Sequence, residues 1–460
     1  MTGGPDDWRA EQLAGAYSGR RVLVAGAGVT GRSVAKALRH MGSEVTVTDG
    51  NAERLAELTD TGAELAAGLT TPPDGVDLVV TSPGWRPSSP VLVAAAEAGI
   101  EVIGEVELAC RISAMLTEPP VWLAVTGTNG KTTTVGMLDV ILRAAGVDAI
   151  ACGNIGLPVT DAVLAGHAVL AVELSSFQLY WQTSLRTTAS VLLNLADDHL
   201  DWHGTGEEYA AAKARIFDGA TTGVYNADDP ASVHIGQSHG ARASFTLGEP
   251  GEHRWGVRDG WLADDEPLCP TAEVNPPGPH NVGNALAAAA LARLHGVPAE
   301  AVRQGLRAYR PEPHRAQLVE EIGGVRYVND SKATNPHAAT GSVLAHDSVV
   351  WIAGGQLKGA EVDELVTTVA DRLRGVVLIG QDADVISAAL ARHAPDVPVH
   401  TVESRDHGAM ETAVYAAATM ARPGDVVLLA PAAASWDMFR NYPHRGEAFE
   451  AAVRTLPGAP

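Results

Sequence analysis

Short apolar runs recur along the chain. Most end in glycine or a small polar residue before a stretch of helical periodicity begins. Val22-Leu23-Val24 leads into Gly26-Ala27-Gly28-Val29-Thr30-Gly31, then a helical stretch over Ser33–Met41 and a second strand, Val45-Thr46-Val47, that closes on Asp49. A third strand, Asp77–Thr81, runs into Ser82-Pro83-Gly84. The run Val121–Val125 breaks into Thr126–Thr133, after which Val135, Leu138, Ile141 and Leu142 recur at helical spacing. A short strand from Ala149 feeds Gly153-Asn154-Ile155-Gly156, and apolar strands follow at Ala168–Val172 and Ser190–Leu195. Glu207–Phe217 reads as a helix, and Pro279–Asn284 opens another that is rich in alanine. Strands over Val325–Val328, Val349–Ala353, Val376–Ile379, Val399–Val402 and Val426–Leu429 alternate with helical stretches. Alternation of this kind predicts an α/β protein with parallel sheets.

Prolines punctuate the pattern. Pro119-Pro120 cannot continue a helix and suits a linker, as do Pro311 and Pro313. They divide the chain into 1–118, 119–312 and 313–460, in keeping with the roughly three domains that 460 residues suggest. With 46% hydrophobic and 19% charged residues, the chain can bury large cores. Its formal charge of −22 makes it a poor candidate for sequence-independent nucleic-acid or anionic-membrane binding. Cys110, Cys152 and Cys269 are far apart and lack metal-ligand spacing, as expected in a reducing cytoplasm. The start, MTGGPDDW, lacks the basic-then-apolar order of a signal peptide, and no run of about 18 apolar residues is present.

The chemistry gathers where strands end. In Thr126–Thr133, Gly127 and Gly130 let backbone N–H groups curl inward, Lys131 can reach terminal phosphates, and Thr132 can offer a hydroxyl to magnesium. The Gly26–Gly31 turn with Asp49 is a βαβ dinucleotide fingerprint. It is open to NAD or FAD, to another nucleotide diphosphate with Asp49 near a sugar or base, or to glycines that serve packing alone. Glu173 ends a central strand, well placed for a metal or as a helix-start acid. Asp197, Asp198, His199 and His203 cluster after the next strand, which suggests a metal or phosphate site. Lys213 on its helix reads locally as a solvated lysine. Asn281 and Asn284, three apart, could read a base edge or cap a helix.

Taken together and in order, TGTNGKTT, GNIG, ELSSFQL, DDHLDWHG, YAAAKARIF, PHNVGNALAA, HR and NDSKATNP resemble the Mur ligase family over about 20–445. The likeness implies a Rossmann-like domain for the UDP end of the substrate, a central P-loop ATPase-like domain and a Rossmann-like C-terminal domain for an incoming amino acid. It implies ATP-driven amide synthesis through an acyl phosphate. The SPG turn, NDSKATNP and PAAASWDMFRNY point to members that add D-glutamate to UDP-N-acetylmuramoyl-L-alanine. On this likeness the NAD reading recedes.

The residue roles follow from the same resemblance. Gly127, Thr128, Asn129, Gly130, Lys131, Thr132 and Thr133 would hold ATP phosphates, with Asn281, Asn284, Arg315 and Asp330 on the nucleotide. Thr132, Glu173, His199 and Lys213 would serve magnesium, two ions by family likeness, with Lys213 as a carbamate. Lys131, His199 and Lys213 form the expected catalytic set. Val29, Thr30, Asp49, Ser82, Gly84 and Asn154 would contact the UDP substrate. Lys332, Thr334, Lys358, Ser435 and Tyr442 would surround the amino-acid carboxylates, which need charge-assisted donors. Three positions depart from the family pattern: Gln356 where some relatives carry an acid, Tyr442 where phenylalanine is common, and Gly50-Asn51 where some carry arginine. The expected working form is a cytoplasmic monomer without nucleic-acid or membrane partners.

Overall fold

The computed structural model describes residues 12–404 and 408–458. The N-terminal residues read above for a leader lie outside that range. Five strands form the first sheet: β1 (Arg21–Ala25), β2 (Glu44–Thr48), β3 (Glu64–Leu65), β4 (Leu78–Thr81) and β5 (Glu101–Gly104). They run parallel in the order β3-β2-β1-β4-β5. Between β1 and β2 lies helix α1 (Val29–His40), and α2 (Glu105–Met115) follows β5 directly. Helix α1 starts inside the glycine turn, four residues before the periodicity places it. The reason is close packing: a Cβ on Gly31 would lie 1.8 Å from the Gly26 carbonyl oxygen, so only glycine lets the helix begin against the strand end.

The second sheet has nine strands, β6 (Val121–Thr126), β7 (Ala149–Gly153), β8 (Val169–Glu173), β9 (Thr187–Leu192), β10 (Ala220–Asn226), β11 (Ala243–Phe245), β12 (Arg254–Arg258), β13 (Trp261–Ala263) and β14 (Pro267–Pro270). Their order is β14-β13-β12-β11-β10-β9-β6-β8-β7. Strand β6 is central, buried along nearly its whole length, and paired in parallel with β8 and β9. Helices α3 (Lys131–Ala144), α4 (Ser176–Tyr180), α5 (Gly206–Ala214) and α6 (Pro279–Leu294) accompany it. Helix α5 stops at Ala214, and Arg215–Phe217 is a 3-10 turn rather than more α-helix. Strand β9 ends at Leu192, so Asn194 and Leu195 belong to the loop beyond it. The edge hairpins are antiparallel; β12 and β13 turn at Asp259-Gly260, both with positive φ.

The third sheet comprises β15 (Gln317–Ile322), β16 (Val325–Asn329), β17 (Val349–Gly354), β18 (Leu373–Ile379), β19 (Val399–Thr401) and β20 (Val426–Leu429), in the order β15-β16-β20-β17-β18-β19. Strands β16 to β20 pair in parallel as expected, while β15, a strand the apolar runs do not mark, runs antiparallel to β16 through the Gly323-Gly324 turn. Two apolar clusters pack this sheet, one with Trp351 and Val366, the other with Ile352 and Phe449. Helices α7 (Pro336–Leu344) and α8 (Tyr442–Arg454) belong here.

The chain forms two compact bodies. One holds residues up to Leu195, His199–Pro270 and Asn284–Ala308; the other holds Ala196–Asp198, Thr271–Gly283 and Tyr309 onward. Within the first body the first two sheets share one apolar core, which includes Leu38 and Val47 beside Leu108, Ile112, Leu170 and Leu179. Their junction also holds buried polar contacts. The buried Glu107 carboxylate accepts the N–H groups of Thr183 and Ser184, each at 2.8 Å, the Ser184 hydroxyl and the Arg111 guanidinium. Ser33 donates to Asp161 at 2.6 Å, and Glu105 accepts the Thr160 N–H at 2.6 Å. All three cysteines are buried thiols, none of them in a disulfide. Among the described residues no helix is long and apolar enough to cross a membrane.

Candidate active site

Strand β6 delivers Thr126 to the centre of the second sheet, where its hydroxyl donates to Leu174 O at 2.7 Å. The chain then turns through Gly127 (φ 155°) and Gly130 (φ 86°) into α3. A side chain on Gly130 would meet Asn284 Oδ1 at 2.3 Å, so Asn284 sits hard against this loop, and Oδ1 also accepts the Thr134 hydroxyl at 3.3 Å. Asn194 splints the loop from the other side. It accepts the Asn129 N–H at 2.9 Å and donates to Asn129 O at 3.1 Å. The Thr128 hydroxyl meets the Tyr209 hydroxyl at 3.0 Å. Thr132 and Thr133 are buried in the first turn of α3, which carries no acid. The positive end of that helix therefore faces the loop uncancelled.

Two lysines turn back on this loop. Lys131 Nζ donates to the carbonyl oxygens of Gly127 and Thr128, each at 2.8 Å. Lys213 Nζ donates to Gly127 O at 2.7 Å and lies 4.8 Å from the centre of the Tyr209 ring. Lys213 is 1% exposed, which corrects its reading as a solvated helix lysine. Sharing one oxygen at 2.8 and 2.7 Å keeps the two ammonium nitrogens within 5.5 Å of each other.

Glu173, 1% exposed, ends β8 in register with Val125. Its Oε1 accepts the Asn154 amide at 2.8 Å, while Oε2 is buried with no hydrogen-bond partner. That orphaned oxygen is the donor a cation would satisfy. Asn154, expected with the UDP-substrate residues, is thus held on Glu173 by its side chain and, through its N–H, on Glu173 O at 2.9 Å. His199 is exposed, has φ 55°, and lies against Phe177 with ring centres 4.7 Å apart. His203 is buried instead. Its Nε2 meets the Ser176 hydroxyl at 2.9 Å, and burial, with His199 and Lys213 nearby, pulls its imidazole down to about 4. Among the described residues no three His, Cys, Asp or Glu side chains come together as a metal cluster.

The turn after β1 is built differently. Asp49 Oδ2 accepts the Ala27 N–H and Oδ1 the Asn51 N–H, each at 2.8 Å. Asp49 therefore staples the turn itself. Val29 is 72% exposed beside the half-buried Thr30. Ser82 comes directly to this turn, since a Cβ on Gly26 would lie 2.4 Å from Ser82 Oγ, and that hydroxyl is buried without a partner. Gly84 follows it and is exposed.

In the second body, Asn281 is buried, its amide 2.9 Å from His280 Nε2. Arg315 pairs with Glu312 at 3.3 Å. Asp330 accepts the Ala316 N–H at 3.2 Å, and burial pushes its carboxyl upward. Lys332 Nζ stands 4.1 Å from the centre of the Tyr442 ring. The Thr334 N–H bonds Lys332 O at 2.8 Å, Lys358 has φ 54°, and Ser435 is buried just beyond β20. Asn194, Tyr209 and Arg445 escape the sequence reading. Asn194 was legible as one more amide beyond a strand end; Tyr209 heads the YAAAKARIF segment with no chemistry of its own to mark it, and Arg445 lies on a helix outside the quoted motifs.

Family models match three consecutive stretches: the Mur ligase MurD-like N-terminal domain over 20–104, the Mur ligase middle domain over 125–292 and the Mur ligase glutamate ligase domain over 314–433. The UDP-N-acetylmuramoylalanine--D-glutamate ligase of Thermobifida fusca is 54% identical, covering 96% of this chain and 99% of that protein. Its counterpart in Streptomyces coelicolor is 52% identical over the same shares. Among solved structures, the UDP-N-acetylmuramate-alanine ligase of Thermotoga maritima matches with a TM-score of 0.60 at 18% identity, covering 95% of this chain and 99% of that one. MurF of Acinetobacter baumannii matches at 0.61 and 18%, covering 92% and 95%. At that identity the structural likeness speaks for the fold. The sequence relatives and the three family models go further: the chain belongs to the Mur ligase family.

Proposed function

We propose that this chain is an ATP-dependent ligase that joins D-glutamate to UDP-N-acetylmuramoyl-L-alanine during cytoplasmic peptidoglycan precursor synthesis. In this reading it acts as a monomer, with 1–118 holding the UDP end, 119–312 the ATP and 313–460 the amino acid. The observation that carries it is the convergence of Lys131 and Lys213 on the Gly127 carbonyl, at a helix start with no acid. The names of the relatives at 54% and 52% identity supply the substrates.

A carboxylate is a poor acyl donor because its leaving group would be oxide. The L-alanyl carboxylate oxygen attacks the γ-phosphorus of ATP, the bond to ADP breaks, and an acyl phosphate forms. The glutamate amine then attacks the acyl carbon and loses a proton, and phosphate leaves as the amide forms. Lys131 releases its contacts to the loop and follows the charge on the transferring oxygens. Gly127–Thr133 cradle the phosphates, with Asn281, Asn284, Arg315 and Asp330 on the nucleoside. Val29, Thr30, Asp49, Ser82, Gly84 and Asn154 serve the UDP substrate. Lys332, Thr334, Lys358, Ser435 and Tyr442 serve the amino acid.

Magnesium fits the donors present. The orphaned Glu173 oxygen, the Thr132 hydroxyl and His199 would hold it, and it would supply neutralisation of phosphoryl charge. A carbamate on Lys213 also fits. Its amine adds to the carbon of CO2 and releases a proton; the product keeps one N–H for Gly127 O and carries a carboxylate beside Lys131. Two neighbouring cations become an opposite-charge pair.

The test is phosphate release from ATP and magnesium with UDP-N-acetylmuramoyl-L-alanine and D-glutamate, L-glutamate, meso-diaminopimelate, L-lysine or no amino acid. Release that requires D-glutamate, with the amide product seen by mass, is the expected result. Dependence on another amino acid, or on none, overturns the assignment.

A further inference from the structure

The α8 helix carries a cation that the reaction scheme leaves unused. Arg445 is 1% exposed, one of the largest fully buried side chains. Its Nε donates to the Ser331 hydroxyl at 3.0 Å, Nη2 to Ser331 O at 2.9 Å and Nη1 to Ala433 O at 3.0 Å. All three acceptors are neutral. Among the described residues no carboxylate forms an ion pair with it, although Asp437 acts on it through space. Burial without a counter-ion pulls the guanidinium down to about 9. An uncompensated cation in the interior is costly, so its retention calls for a reason.

The three bonds fall in telling places. Ser331 directly precedes Lys332 at the end of β16. Ala433 precedes Ser435 by two residues at the end of β20. Tyr442 lies one turn before Arg445 on α8, and the Ser331 hydroxyl donates to Tyr442 O at 2.8 Å. Lys332 in turn lies over the Tyr442 ring. One guanidinium thus ties together two strand ends and one helix start, all at the carboxyl edge of the third sheet, where open α/β sheets take ligands.

We infer that Arg445 is a positioning residue for the incoming dicarboxylic amino acid: it locks the segments bearing Lys332, Ser435 and Tyr442 into one register and adds a buried positive charge beneath them that an anionic substrate answers. This rests on the amino-acid role proposed above for the third sheet. Arg445 does not itself touch the substrate. It acts through its neighbours, so its removal weakens glutamate binding far more than it alters ATP or UDP-substrate use.

The experiment is steady-state kinetics of R445M, R445K and S331A, each substrate varied in turn, beside thermal unfolding of each variant. R445M is expected to raise the KM for D-glutamate by about 30-fold, with KM for ATP and for UDP-N-acetylmuramoyl-L-alanine within about threefold of the parent. R445K keeps the charge but loses the three-way tie, and should restore about half of that loss on a logarithmic scale. S331A keeps the charge and most of the fold, and should raise the glutamate KM by about fivefold; it carries the test should R445M not fold. An unchanged glutamate KM, or equal rises in all three, overturns the inference. A parent protein with no D-glutamate-dependent phosphate release instead overturns the reading on which it rests.

Discussion

Two strand–glycine–helix turns in the first body invite comparison. The turn after β1 and the loop after β6 share a plan, an apolar strand, glycines that let the backbone curl, and a helix start aimed at the bend. They differ in what turns back on them. Asp49 returns to the first turn and takes the N–H of Ala27. Lys131 and Lys213 return to the second and donate to the Gly127 carbonyl. The glycines set the path of the backbone in both; the residues that fold back set the sign of the charge each can accept. A turn lined by a carboxylate favours hydroxyls and amides, such as those of a sugar or base. A loop lined by the Lys131 ammonium and an open helix dipole favours the phosphates of ATP.

That contrast can be broken at several points. The largest effect belongs to Lys131→Ala, which should lower kcat by about a thousandfold in steady-state assays while leaving the thermal midpoint nearly unchanged. Near-normal turnover would show that the second loop does not neutralise transferring phosphate. Alanine in place of a single glycine separates the turns next. At Gly31 it would be forced against the Gly26 carbonyl, costing about 3 kcal/mol of stability by denaturant titration. At Gly130 it would strike Asn284, and ATP binding by calorimetry should weaken by about tenfold or more.

A pH comparison probes the junction beneath the two turns. Burial pushes Glu105 up to about 7 from 4.5, although the Thr160 N–H opposes this. For an acid raised by folding, the favourable contribution is complete below about 4.5 and is lost as the pH climbs through 7. Glu105→Gln should therefore unfold at a higher temperature than the parent at pH 8, by an amount worth about 3 kcal/mol, with the gap closing at pH 4.5. The smallest effect is expected at the first turn: Asp49→Ala should raise the KM for the UDP substrate about fivefold with kcat unchanged.

Much of this was legible because local sequence and local structure agree. Val121–Thr134 is a buried strand, a glycine loop and a helix, and each piece announces itself by composition. The parallel strands read as unbroken apolar runs because both faces are covered. The edge strands were missed for the opposite reason. Gln317–Ile322 is polar and half exposed, and its partner is settled only by the Gly323-Gly324 turn; the Asp259-Gly260 turn was an equally clear signal passed over. Lys213 shows the limit of local reading. On its helix it resembles a solvated lysine, and only the approach of α5 to Gly127, 86 residues away in sequence, makes it a buried one. Arg445 is hidden likewise: its three acceptors are 12 and 114 residues distant.

The shared core beneath the first two sheets bears on how this protein can be taken apart. Leu108, Ile112 and Leu116 on one side, and Leu170, Leu174 and Leu179 on the other, belong to a single apolar mass. A fragment cut at Pro119-Pro120 would expose to water the face of that mass that its neighbour covers. It would need a detergent or a borrowed companion to stay in solution. Anyone grafting the first sheet onto a foreign protein would have to transplant the lining of its neighbour as well.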